Sequence, residues 1–276
     1  MLIISGTVPF DEIDIVFGKL SLRREKISVG AHTLPISRGT TAIAASACIE
    51  NEAYGIFSGD IGTGEGSIRL YRFLKEEIPK LSPDILCLGY VFPWKELHRM
   101  FFSEIEKMKK KPIFIADAGF MYAAKIDGKA SKYDIFCPDL GELAFLADEK
   151  APHPFYTRGF LFQIEEPEEL IKRAYRIGCA SKVMCVKGKT DYICKEGRII
   201  YKVEEPFVPE LEPIGGTGDT VTGMIANFVS KGFSPEKAAF FAAKANRLAA
   251  DLLKPDPSVQ ISELIHFLPK ALDVVG

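Results

Sequence analysis

The chain has 276 residues, 47% of them hydrophobic and 26% charged, with a net charge of −2. That composition fits a globular protein with a core large enough for one sizeable α/β domain. The near-neutral balance argues against a broad basic field for nucleic acid or acidic membranes. No stretch approaches the roughly 18 consecutive apolar residues that span a bilayer.

The opening MLIISGTVPF has neither a basic leader nor a long apolar run, so the expected compartment is the cytoplasm. LIIS reads as a first strand, and the rest of the first forty residues leaves room for a small β excursion. TTAIAASACIE (40–50) has helical spacing, YGIF (54–57) reads as a strand, and EGSIRLYRFLKEEIP (65–79) as a helix. DILCLG (84–89), PIFIAD (112–117), YDIFCP (133–138) and KVMCVKG (182–188) are short continuous apolar runs, the signature of strands covered on both faces. Between them lie helical patterns at 94–111, 141–148 and 165–178, and a stretch at 149–160 that reads as an ordered loop. In the 94–111 pattern, the stripe from Trp94 to Met108 reads as a core-facing helix face. DYICK and RIIYKV flank Glu196–Gly197 as a hairpin. Three helices close the chain, in TGDTVTGMIANFVSKG, SPEKAAFFAAKANRLAADLL and ISELIHFLPKAL; in the second, Ser234 caps, Pro235 fits the first turn and Glu236 complements the dipole. The expected fold is one doubly wound α/β domain over residues 1–276, a mostly parallel sheet with helices on both faces. The apolar C-terminal helices suit either the core or a homo-oligomer interface.

The six cysteines contain no CxxC pair and sit mostly in apolar runs, so they read as buried free thiols rather than zinc ligands. His32, His98, His153 and His266 share no ligand spacing and read as structural or surface residues.

The most informative stretch is EPIGGTGDTVTG, from Glu212. A helix N-terminus offers unpaired N–H groups and about half a positive charge. Gly215, Gly216, Thr217 and Gly218 have the composition to bring those donors close to a phosphate oxygen. Asp219 follows at once. A carboxylate repels a resting phosphate, but it has a purpose if it takes a proton from a hydroxyl while the N–H groups hold the transferring phosphoryl group. The plain alternative is a glycine-rich turn with an acidic cap. No GK[ST] follows, so this is not a Walker A loop, and no early GxGxxG supports a nicotinamide Rossmann site.

GGTGDTVTGMIANFVSKG resembles the GTGD or GAGD signature of the ribokinase-like superfamily, and within it is most similar to the NAD(P)H-hydrate dehydratases, also called carbohydrate kinases. SRGTTAIAASA (37–47), PIFIADAGF (112–120), CPDLGEL (137–143), VMCVKGKTDYICKEGRIIYKV (183–203) and AAKANRLAAD (242–251) resemble further family segments in the same order. The resemblance implies a ribokinase-like fold, Asp219 as catalytic base and the 215–218 turn as anion hole. It implies ATP or ADP with Mg2+ as cofactors, and a small-molecule hydroxyl as acceptor. Departures are visible: Ile115 or Ala116 stands where the family has the first Asp of Asp-Ala-Asp, LGYVFPW (88–94) replaces a Gly-Pro-Gly-Leu-Gly turn, and Asp-Leu-Gly-Glu replaces His-Pro-Gly-Glu. GDIGTGEGSIRLYRFL (59–74) is similar instead to sugar kinases.

Further candidates follow. Glu142 lies three residues after Asp139, so both carboxylates could reach one hydrated Mg2+; equally, Asp139 could cap a helix that Glu142 completes. Lys187 ends a strand where it could reach nucleotide phosphates, and Asp117 ends another at the ligand edge, toward the substrate. Arg38 could meet an anionic substrate, and Asn246 could face the nucleotide or pack between helices. Three readings remain: a nucleotide-dependent hydrate dehydratase, a sugar or vitamin-type kinase, and a non-catalytic nucleotide binder.

Overall fold

The computed structural model describes residues 1–151, 166–256 and 258–275. Most of the expected loop at 149–160, with His153, lies outside them. The chain begins with β1 (Leu2–Val8), β2 (Ile15–Arg23), β3 (Lys26–Val29) and β4 (His32–Pro35), then α1 (Thr40–Ala47), β5 (Ala53–Gly59) and α2 (Glu65–Leu81). There follow β6 (Ile85–Leu88), α3 (Lys95–Lys107), β7 (Ile113–Ala116), α4 (Ala118–Ile126), β8 (Ile135–Phe136) and α5 (Leu140–Ala147). The described chain resumes with α6 (Pro167–Arg176), β9 (Val183–Val186), β10 (Asp191–Lys195) and β11 (Arg198–Val203), and ends with α7 (Thr217–Ser230), α8 (Pro235–Leu253) and α9 (Ile261–Val275).

The strands form one sheet in the order β11-β10-β9-β8-β7-β6-β1-β5-β2-β3-β4. From β5 to β9 every pairing is parallel. Antiparallel strands finish both edges, the β10–β11 hairpin on one side and β2–β3–β4 on the other. β2 joins both parts: Ile15–Lys19 pairs with β5, and Leu20–Arg23 pairs with β3. This is the small β excursion.

Strand side chains alternate between two cores. Ile3, Leu86, Leu88, Phe114, Phe136 and Met184 face one side, where α2 to α6 pack. Leu2, Ile4, Cys87, Ile115, Ile135 and Cys185 face the other, with α1 and α7 to α9. Each fully buried large side chain contributes about 1.5–3 kcal/mol, so both layers are held mainly by burial. The expected helix at 94–111 stops at Lys107. His98, Phe101, Phe102 and Ile105 are its buried stripe; of the two ends of that pattern Trp94 is exposed and Met108 is half-buried against the core, and Met100 within it is exposed. His98 is fully buried between Asp127 and the Tyr133 hydroxyl, a structural role. The six cysteines are free, four of them buried. Among the described residues no helix is long and apolar enough to cross a membrane.

Candidate active site

The parallel strands end on one edge of the sheet, and the chain leaves β6, β7, β8 and β9 there through Tyr90, Asp117, Asp139 and Lys187. The N-termini of α1 and α7 open onto the same edge, because α1 packs against α7 on one face. This is where ligands collect in doubly wound sheets.

The α7 N-terminus is built from the glycine turn. Gly216 caps the helix at φ +106, a left-handed conformation that disfavours a side chain, and a Cβ there would stand 2.9 Å from Ile261. Gly215 is exposed, and Gly216, Thr217 and Gly218 are half-buried, so the turn is open to the cleft. Among the described residues nothing accepts from the N–H groups of Thr217, Gly218 and Asp219; the first bonded amide is that of Thr220, to Gly216 O at 3.0 Å. Three donors and the dipole end therefore face one place, the composition of an anion hole. Asn246 braces this turn from behind: its Oδ1 accepts from the Thr220 hydroxyl at 2.6 Å and its Nδ2 donates to Thr217 O at 3.3 Å. Of the two roles open to Asn246, its amide serves the packing of α8 against α7.

Asp219 is 6% exposed. Its Oδ2 accepts from the Gly39 N–H at 2.6 Å, at the mouth of α1. Burial, with Asp117 next, pushes its carboxyl up to about 6; Lys187, the Gly39 amide and the nearby Tyr90 side chain pull the other way. It is thus mostly ionised at neutral pH yet basic enough to accept a proton.

Asp117 caps α4 and accepts from Ala118 N–H at 2.9 Å, from Lys187 Nζ at 2.8 Å and from the Thr222 hydroxyl. The next residue, Ala118, has φ +47, a conformation costing roughly 1–2 kcal/mol in a non-glycine residue and held here by its surroundings. Lys187 stands between Asp117 and the glycine turn, its Nζ 3.4 Å from where a Gly218 Cβ would be. Burial alone would depress the Lys187 ammonium, but Asp117 and Glu142 outweigh it and push it well above its ordinary value. A fixed cation therefore sits beside the open amides. Arg38 adds a second: it is exposed, with its Cδ 3.4 Å from a Gly215 Cβ position, and has no carboxylate partner among the described residues.

Asp139 and Glu142 form a reciprocal capping box at the start of α5, at 2.7 and 2.8 Å. Glu142 also accepts from the Tyr122 hydroxyl. Burial, with Asp117 next, pushes its carboxyl up to about 8. Among the described residues no group of three or more His, Cys, Asp or Glu could hold a metal ion. The pair is engaged as a helix cap and makes no metal cage by itself. Asp60, from the segment similar to sugar kinases, is likewise occupied, taking bonds from the N–H groups of Gly62, Gly64 and Ser67 and from the Ser67 hydroxyl.

The fold thus brings Arg38, Asp117, Lys187, Asp219 and the 215–218 turn together at one edge. It adds Gly39, Thr222 and Tyr90, which the linear sequence did not single out. The only signal for Tyr90 was its place in the segment that departs from the family turn.

Residues 81–270 match the sequence profile of the NAD(P)H-hydrate dehydratase, or carbohydrate kinase, family. The chain belongs to this family. Over 226 residues it is 42% identical to an uncharacterized protein of Methanocaldococcus jannaschii, covering 81% of this chain and 93% of the other. It is 28% identical over 168 residues to the bifunctional NAD(P)H-hydrate repair enzyme Nnr of Pyrobaculum aerophilum; this match takes in 60% of the chain but only 30% of that longer enzyme. Two solved structures share the fold. One is the ADP/ATP-dependent NAD(P)H-hydrate dehydratase of Bacillus subtilis, co-crystallized with ATP/Mg2+, at TM-score 0.50 and 19% identity over 70% of this chain and 65% of that one. The other is the pyridoxal kinase of Staphylococcus aureus in complex with AMP-PCP and pyridoxal, at TM-score 0.57 and 15% identity over 89% and 86%. As a family member the chain is an enzyme, and its fold is the ribokinase-like one of these structures.

Proposed function

We propose that the protein is an ATP- or ADP-dependent NAD(P)H-hydrate dehydratase. The observation that carries this is the pairing of a buried carboxylate, Asp219, with the three unbonded amides at its own helix N-terminus. The ring hydroxyl of hydrated NAD(P)H gives its proton to Asp219 as its oxygen bonds to the terminal phosphorus. The bond from that phosphorus to the nucleotide's bridging oxygen breaks, and the nucleotide leaves one phosphate shorter. The Thr217, Gly218 and Asp219 amides hold the charge of the transferring group, with Lys187 as point charge. Phosphate is then eliminated with a proton from the neighbouring ring carbon, restoring the double bond. Mg2+ would come with the nucleotide and neutralise phosphate charge; because the carboxylates at hand form no cage, no step is assigned to it. The six free thiols agree with a reducing compartment, and we place the enzyme in the cytoplasm. We also propose that it works on small molecules alone, without nucleic acid or membrane.

The test is incubation of hydrated NADH with ATP or ADP and Mg2+, following the return of nicotinamide absorbance. Recovery is expected with at least one nucleotide, and Asp219→Asn should slow it at least about 100-fold. No recovery with either nucleotide removes this reading.

A second reading, a kinase for a planar alcohol, is favoured by the exposed aromatic residues Tyr90, Phe92 and Trp94 beyond β6, where the family turn is glycine-rich. In that case the phosphoester accumulates and no inorganic phosphate is released, which product analysis distinguishes directly.

A further inference from the structure

Thr222 lies on α7 about one turn beyond Asp219 and is fully buried. Its hydroxyl donates to Asp117 Oδ2 and stands 3.3 Å from Gly218 O. The same carboxylate oxygen accepts from Lys187 Nζ at 2.8 Å, while Oδ1 accepts from Ala118 N–H at 2.9 Å. Asp117 is itself buried, and the Lys187 side chain is only 12% exposed. The lysine in turn lies 3.4 Å from a Gly218 Cβ position. Contacts therefore leave α7 at Thr222, cross to Asp117 at the end of β7, pass to Lys187 after β9, and return to the glycine turn of the same helix.

We propose that Thr222 is a positioning residue for the lysine: its hydroxyl fixes the Asp117 carboxylate, which holds the Lys187 ammonium against the mouth of the glycine turn. The role of Lys187 toward phosphate rests on the function proposed above; the hydrogen bonds do not.

An ammonium on a flexible stem is a point charge with no direction of its own, so its counter-ion sets its place. The counter-ion is held from two sides, by the Ala118 amide on one oxygen and by Thr222 on the other. A threonine inside a helix ordinarily turns its hydroxyl back to the carbonyl one turn earlier. Here that carbonyl is Gly218 O, and Asp117 is the nearer acceptor, so the hydroxyl is aimed off its own helix at a charged group. Packing does not ask for a hydroxyl at this place. Val221, Met224 and Ile225 around it on α7 are buried and apolar, and valine has the same shape. A lysine fixed before phosphate arrives costs no reorganisation when charge moves onto the transferring group.

The experiment compares Thr222→Val, which removes the hydroxyl and keeps the shape, with Thr222→Ser, which keeps the hydroxyl. The first readout needs no nucleotide: acetylation of each lysine by acetic anhydride, followed by mass spectrometry. Lys187 should react at least several-fold faster in Thr222→Val than in wild type and at close to the wild-type rate in Thr222→Ser. Lys125 is the internal reference; it is buried on the other face of the sheet, donating to the carbonyls of Phe145, Asp148 and Ala151, and its rate should not change. The second readout is the Kd for ATP with Mg2+, expected to weaken about tenfold in Thr222→Val and to recover in Thr222→Ser. In a Lys187→Met background, Thr222→Val should add no further loss, because the lysine it positions is gone. The proposal is overturned if Lys187 in Thr222→Val reacts no faster than in wild type, or if Lys125 speeds up equally, which would mean general loosening. It is equally overturned if Thr222→Ser behaves as Thr222→Val, or if the loss of affinity persists in full without Lys187. Faster acetylation with unchanged ATP affinity would support the positioning and count against the phosphate role of Lys187 in the proposed reaction.

Discussion

Asp219 carries an energetic cost that follows from its burial. Its carboxyl is raised from 3.8 to about 6, so the folded protein holds that proton more tightly than the unfolded chain does. Stability from this group is therefore fully present below about pH 4 and is lost as pH rises through about 6. A shift of roughly two pH units corresponds to about 3 kcal/mol. Asn at this position keeps an acceptor for the Gly39 amide and never ionises. Asp219→Asn should thus melt several degrees higher than wild type near pH 8, with the gap closing near pH 4, while activity is lost. Melting curves across that range check it; equal melting at pH 8 would mean the carboxylate bears no such strain. The same residue was the easiest to read from sequence, because a glycine turn, a carboxylate and a helix start are adjacent along the chain. Tyr90, Gly39 and Thr222 were not legible as site residues. Each meets the site only through contacts spanning 105 to 180 positions or through an approach of separate strands, and a single sequence carries no record of those.

At the scale of elements, the Gly39–Asp219 contact is set by how closely α1 and α7 approach. Gly223 is where they meet: a Cβ there would fall 2.1 Å from Ser46 Oγ and 2.2 Å from Ile43 O, and the second of these is backbone that cannot swing aside. Gly223→Ala should force the helices apart and cost about 1–3 kcal/mol. Because Gly39 and Asp219 sit at the mouths of those two helices, the variant should lose activity out of proportion to stability. Activity measured well below the melting point tests this, and full activity would show that the approach does not set the site. The parallel strands were legible because burial on both faces leaves continuous apolar runs such as ILCL and VMCV. β2 was not, since its faces alternate between buried and exposed and it changes partner half-way. α4 is not read from the sequence for another reason: the expected strand ends at Asp117, next to the end of β7, but no helix is expected after it, whereas Asp117 caps a new helix at once.

Across the whole molecule, the groups that would hold a phosphate come from opposite ends of the fold's connectivity. The amides belong to α7, the cation to the turn after β9, and the Asp117 carboxylate that fixes that cation to the end of β7. Arg247 ties the β9–β10 turn down from α8, donating to Asp191 at 2.8 Å and to the carbonyls of Gly188 and Lys189 at 2.9 and 2.8 Å. Anything that bridges α7 and Lys187 therefore binds only the assembled sheet and must oppose its unfolding as a unit. Nucleotide at about 100 times its Kd would add roughly 2.7 kcal/mol, which at about 2–4 °C per kcal/mol is a rise in Tm of some 5–10 °C. Lys187→Met lowers the starting stability, since it leaves Asp117 without its cation, so the quantity to compare is the ligand-induced increment. ATP should raise wild type by that amount and Asp219→Asn by at least as much, because the variant removes an anion from beside the phosphate. Lys187→Met should respond to the same ATP concentration by less than half. An undiminished increment in Lys187→Met would place the nucleotide phosphates away from the glycine turn, and with them the chemistry assigned to Asp219.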